Sequence, residues 1–213
     1  YELDPKLFDE PLPSFANTRS LRVAAGLGTI PRVVSDAREI YEKPLSLAVA
    51  MRRIETFYKP YHAALRHLME QAQQRFGLAV LIDCHSMPSI SARHPAMSDR
   101  RHIDLVIGDR YGASAAPALV DGVQSRLRDL GYHVLRNRPY AGGFITEHYG
   151  RPSAGWHAIQ IEVSRGLYMN ETSYEKTERF PLVTCHLAEI VRGLAHDVAH
   201  GAHLGATRQA AAE

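Results

Sequence analysis

Apolar positions along this chain switch between two periods, and the switches mark its elements. Between 45 and 76 they recur at helical spacing through Leu45, Val49, Ile54, Ala64, Leu65 and Leu68, which predicts a helical stretch. Pro60 falls inside it and is expected to break or kink it, because the ring removes a helix hydrogen bond and crowds the preceding turn. Gly77 is a stop signal, and the apolar run from Leu78 to Ile82 predicts a strand that ends in Asp83, His85 and Ser86. Further strands are expected at 104–108, 132–136 and 157–163. Ser114 is placed to cap a helix running to about Leu130, with Gly131 as its stop. A last helix is expected from Tyr174 to about Val198, with Pro181 as a kink or boundary.

The remaining segments lack either period. Residues 1–43 are rich in Pro, Gly and Asn and predict an extended, loop-rich stretch. Loops are expected at 88–102 and, glycine-rich, at 139–155. The Ala-, Gly- and His-rich tail 199–213, with His200 and His203, is expected to be mobile and solvated. Strands alternating with helices predict an α/β fold with a mixed, largely parallel sheet flanked by helices, in which the 78–85 and 157–163 runs are near neighbours. One domain over 1–198 is expected, with no internal repeat.

Composition narrows the function classes. The chain has 213 residues, 45% hydrophobic and 23% charged, as in a soluble globular protein. A net charge of +2 makes no electrostatic case for nucleic acid. Cys84 and Cys185 form no CxxC pair and no disulfide framework, which favours a reducing, cytoplasmic setting. No apolar run reaches the ~18 residues that a membrane helix needs. Ala25-Gly-Leu-Gly contains GxG, but Pro31 stands where a dinucleotide fingerprint needs its third glycine. Tyr1-Glu-Leu-Asp-Pro reads like the interior of a protein, so residues upstream of Tyr1 are expected.

Candidate chemistry sits at the ends of two strands. Side chains alternate across a strand, so Asp83 and His85 share one face and Cys84 the other. Gln160, Glu162 and Ser164 share a face opposite Ile161 and Val163. Ligands bind outside the carboxyl ends of strands in open α/β sheets, and a His and a Glu delivered there suit metal-assisted hydrolysis. Cys84 is turned away from His85, so a Cys–His couple is not expected and Cys84 reads as a small buried hydrophobe.

Five short motifs, in order, carry a resemblance: Asp83-Cys-His-Ser-Met-Pro88, Asn137-Arg-Pro-Tyr140, Gly142-Gly143, His148-Tyr-Gly150 and Gln160-Ile-Glu-Val-Ser-Arg165. Together they resemble the N-formylglutamate amidohydrolase family, over nearly the whole chain from Tyr1 to about Val198. The resemblance implies a zinc-carboxypeptidase-like (phosphorylase/hydrolase-like) fold and hydrolysis of an amide in N-formyl-L-glutamate or a related N-acyl amino acid. It implies one divalent zinc ion, with His85 matching the later zinc-ligating His and Glu162 the general base. The family's early His-Ser-Gly and Asp-x-Asn-Arg segments are absent here, so the other ligands are expected upstream of Tyr1. A carboxypeptidase-like deacylase of another substrate, or a metal-free ligand-binding relative, are the alternatives.

Each residue also has a plainer reading. His85 could be a hydrogen-bonded core histidine, and Glu162 could form a structural pair with Arg165. Asp83 either steadies the His85 imidazole or caps the next turn, and Ser86 lies beside it. Arg165 and Arg138 are candidates to grip a substrate carboxylate, since guanidinium pairs with carboxylate in bidentate fashion; Arg136 reads as a surface arginine. His148, Asn137 and Tyr140 are candidates for substrate contacts from loops, or structural loop residues. Tyr61 and His62 read as helix packing, and His196 as solvated.

Overall fold

A computed structural model describes residues 1–34, 37–89 and 102–199. Most of the expected 88–102 loop and the 200–213 tail lie outside the described residues. The chain forms two compact units, 1–67 and 68–213.

The first unit is loop-rich, as its Pro and Gly content predicts. Asp4 caps a short 3-10 turn at Pro5–Leu7 by accepting from Lys6 N–H at 2.9 Å. Buried, it also pairs with Arg32 at 2.8 Å. A short helix α1 (Leu21–Ala24) follows, and Leu3, Leu7, Phe8, Ile30, Ala50 and Ile54 make a small core. Helix α2 (Leu47–Arg53) starts on the Ser46 hydroxyl, which accepts from Val49 N–H.

Pro60 leaves the helix unbroken. Between α2 and α3 (Lys59–Phe76) the backbone takes a π-helical turn, Ile54–Tyr58. A π turn uses one residue more than an α turn, so it moves the downstream face on by one position. Accordingly Met69 is buried, while the expected Leu68 is 61% exposed. Tyr61 is also exposed rather than packed, and His62 lies against the Tyr58 ring at 4.2 Å.

The second unit is built on a four-stranded sheet ordered β1-β4-β2-β3. Its strands are β1 (Ala79–Met87), β2 (Leu105–Gly108), β3 (Val134–Arg136) and β4 (Trp156–Ser164). β1 pairs with β4 in parallel and β2 with β3 in parallel, while β2 and β4 run antiparallel, so the sheet is mixed as expected. Helices α4 (Pro117–Asp129) and α6 (Phe180–Ala199) cover one face. There Ile159, Ile161 and Val163 of β4 pack with Leu105, Ile107, Val120, Val123 and Ile190. Gly77 (φ +80°) and Gly131 (φ +86°) stop α3 and α4 in the left-handed conformation that other residues resist. Pro181 falls in the first turn of α6, where its missing N–H costs nothing.

Two expectations need correction. Ser114 does not cap α4: the helix starts at Pro117, and the Ser114 hydroxyl donates to Ala158 C=O at 2.7 Å. The 139–155 segment is not all loop, since α5 (Phe144–Tyr149) forms within it and packs on β1 and β4. Among the described residues, no helix is long and apolar enough to cross a membrane.

Candidate active site

The parallel register of β1 and β4 assembles the site. Asp83 pairs with Gln160 and His85 with Glu162, so both strands present their polar residues on the same face. That face is opposite the α4–α6 core, where Cys84 pairs with Ile161. Glu162 is 6% exposed, whereas the His85 side chain is 46% exposed.

His85 stands between two carboxylates. Its Nε2 lies 3.1 Å from Asp83 Oδ2, and its Nδ1 lies 4.0 Å from Glu162 Oε1. Asp83 holds the imidazole pKa up, against the downward pull of burial, with Glu162 adding to the rise. Burial pushes the Glu162 carboxyl above its ordinary range, opposed by His85 and by a hydrogen bond from Gln160.

Gln160 is a site residue that alternation placed on this face without giving it a role. Its Nε2 donates to Glu162 Oε1 at 2.8 Å, and its Oε1 accepts from Gly143 N–H at 2.8 Å. The segment reaching Gly143 crosses close over β2. A Cβ on Gly108 would come within 2.6 Å of Gly142 N, so only glycine fits there.

The other expected residues divide by what holds them. Arg165 follows β4 directly, and its Nε donates to Ser86 Oγ at 3.2 Å, so these two do meet at the strand ends. His148 sits on α5 instead of in a loop, its ring stacked on Phe144 at 5.0 Å and edge-on to Tyr149. Tyr140 packs against Met87, Ile103 and Val106. Arg138 is exposed. Asn137 is buried with φ +60°, and both ends of its amide bond Asp109.

Asp109, absent from the sequence reading, organises this neighbourhood. It is fully buried and receives Asn137 Nδ2 at 2.6 Å and the Arg136 guanidinium. Burial pushes its carboxyl up, but Arg136 and Asn137 together outweigh that and hold it below its usual range. Arg136 is therefore not a plain surface arginine. A buried carboxylate needs a partner, and Arg136 supplies it while also reaching Asp121 at 2.8 Å.

Cys84 is exposed, contrary to its expected burial; among the described residues β1 pairs with β4 alone, at the sheet edge. With Val163, Val183 and Leu187 it lines a cavity of about 350 Å³. Burial of the thiol itself and the nearby Asp83 charge raise its pKa, which keeps it protonated and a poor nucleophile.

The buried Asp83 Oδ2 makes no aligned hydrogen bond yet lies beside His85 Nε2, a placement suited to steadying a ligating imidazole and leaving Nδ1 to an ion. His85 thus fits as one ligand. A protein zinc site takes three or four, and among the described residues no group of three His, Cys, Asp or Glu side chains is placed to share an ion.

The chain resembles known proteins in both sequence and fold. The N-formylglutamate amidohydrolase family profile matches residues 1–169. N-formylglutamate deformylase of Pseudomonas putida is 33% identical over 158 residues, covering 72% of this chain and 58% of that protein. The Pseudomonas aeruginosa protein of the same name is 34% identical over 167 residues, covering 76% and 58%. The chain therefore spans 58% of the length of these curated relatives. The crystal structure of N-formylglutamate amidohydrolase from Ralstonia eutropha JMP134 superposes with a TM-score of 0.83 at 36% identity, over 94% of this chain and 71% of that one. The five-motif resemblance is confirmed, and the chain belongs to the N-formylglutamate amidohydrolase family.

Proposed function

We propose that this chain carries the general base and one metal ligand of a zinc-dependent amidohydrolase, zinc-carboxypeptidase-like in its layout, that cleaves N-formyl-L-glutamate or a related N-acyl amino acid. The observation that carries the reading is the His85–Glu162 pair: a half-exposed imidazole 4.0 Å from a buried carboxylate at the carboxyl ends of neighbouring parallel strands. The names of the relatives supply the substrate class. One divalent zinc ion would be held by His85 as one of its ligands, and when bound would supply Lewis-acid polarisation of the scissile carbonyl and of water.

The residues of the chain do the rest. Glu162, with its proton affinity raised by burial, takes the proton from the attacking water. It then returns that proton to the departing amino nitrogen as the C–N bond breaks, giving formate and the free amino acid. Asp83 fixes the His85 ring. Arg165, oriented by Ser86, grips a substrate carboxylate as a fork of donors. His148 on α5 contributes to the substrate pocket.

The test is formate release from N-formyl-L-glutamate by the full chain, with zinc content measured on the same sample. Stoichiometric release that is lost on chelation and restored by zinc is the expected result. No release from this or any other N-acyl amino acid by zinc-loaded protein would overturn the proposal.

A further inference from the structure

The Glu162 carboxylate does not stand alone on β4. A glutamate has three rotatable bonds, and a base that must meet a proton in one place loses rate when its carboxylate wanders. Here Oε1 is occupied by Gln160 Nε2 at 2.8 Å, two residues back on the same face, which leaves Oε2 for a reacting proton.

A primary amide could face Glu162 with either end, because its oxygen and nitrogen are nearly the same size. Only the nitrogen donates. The choice is made by Gly143, whose backbone N–H lies 2.8 Å from Gln160 Oε1 and can only donate. The amide oxygen must therefore face Gly143, and the NH₂ must face Glu162. Gly143 is itself placed by the close passage of Gly142 over Gly108. A neutral amide orients the carboxylate without forming an ion pair that would neutralise it. Both hydrogen bonds are shielded from water, since Gln160 is 4% and Glu162 6% exposed.

We propose that Gln160 is the positioning residue for Glu162, its amide keyed by the Gly143 N–H so that the 139–143 segment sets the orientation of the base. The proposal rests on the reading of Glu162 as general base.

The experiment is a double-mutant cycle in the full chain, read as formate release from N-formyl-L-glutamate. Gln160→Met keeps length without hydrogen bonding, and Gln160→Glu keeps an acceptor for Gly143 while losing the donor. Both are expected to lower kcat by about 10- to 100-fold, the worth of one hydrogen bond to a charged group, with KM little changed. In a Glu162→Gln background, Gln160→Met is expected to add no further loss, because the group it acts through is already gone. The Gly143 amide proton resonance should move in Gln160→Met, while thermal unfolding stays near wild type. Unchanged kcat in both Gln160 variants, or an equal fold-loss with and without Glu162, would overturn the positioning role. Wild-type turnover in Glu162→Gln alone would instead overturn the base reading on which it rests.

Discussion

Glu162 Oε1 stands 4.0 Å from His85 Nδ1, its register partner on the neighbouring parallel strand. This spacing keeps that oxygen and the imidazole from a direct hydrogen bond, while Gln160 occupies Oε1 and leaves Oε2 to act on a proton. Glu162→Gln preserves shape and the Gln160 contact while removing the proton acceptor. Activity should fall by about 10²–10⁴ with zinc content and the unfolding midpoint near wild type. Steady-state kinetics with metal analysis of the same preparation checks this, and near-normal turnover would return Glu162 to a structural role.

His85→Ala should weaken zinc binding by more than the roughly 10–100-fold expected when a supporting outer residue is lost, which is the effect expected of Asp83→Ala. Competition with a chromogenic chelator gives both affinities. An unchanged zinc affinity in His85→Ala would rule out ligation by this imidazole.

Asp109→Ala should destabilise the protein by about 1–3 kcal/mol, since it leaves the buried Asn137 amide without its acceptor and Arg136 with Asp121 alone. Asn137 begins the segment that reaches Gly143, so activity should fall as well. Denaturant unfolding monitored by circular dichroism provides the measurement. A change below about 1 kcal/mol would mean that neighbouring groups replace the carboxylate.

His157 should make the fold acid-sensitive. It is 3% exposed, and its Nδ1 accepts the Ala116 N–H at 3.2 Å at the start of α4, so it is neutral with its proton on Nε2. Burial lowers its pKa from the ordinary 6.5. Above about pH 6.5 both folded and unfolded states are neutral and the full stability is present. As pH falls, the unfolded chain takes the proton first, so stability drops progressively toward the lower folded pKa. Stability measured from pH 7.5 to 5 should fall less in His157→Gln than in wild type, and parallel curves would refute the assignment.

Local rules made much of this legible. Alternation alone put Asp83 with His85, and Gln160 with Glu162, because strand geometry has a period of two whatever the strand packs against. Gly77, Gly131 and Pro181 marked helix ends through their own backbone chemistry. The five motifs identified the family because their order is a property of the chain itself.

Other features could be settled only by distant contacts. Alternation says which residues share a face of one strand, but not that two strands turn their polar faces the same way; the parallel β1–β4 register decided that. Helix α5 is six residues set between glycines, too short to be stable alone, and forms where β1 and β4 give it a surface. The π turn that moved burial from Leu68 to Met69 left no mark in the apolar spacing. Asp109 joins Arg136 and Asn137 from 27 and 28 positions away, and Gly143 reaches Gln160 across 17. Periodicity reports local backbone geometry, whereas the partner of a buried polar group is chosen by whichever segment the folded chain brings beside it.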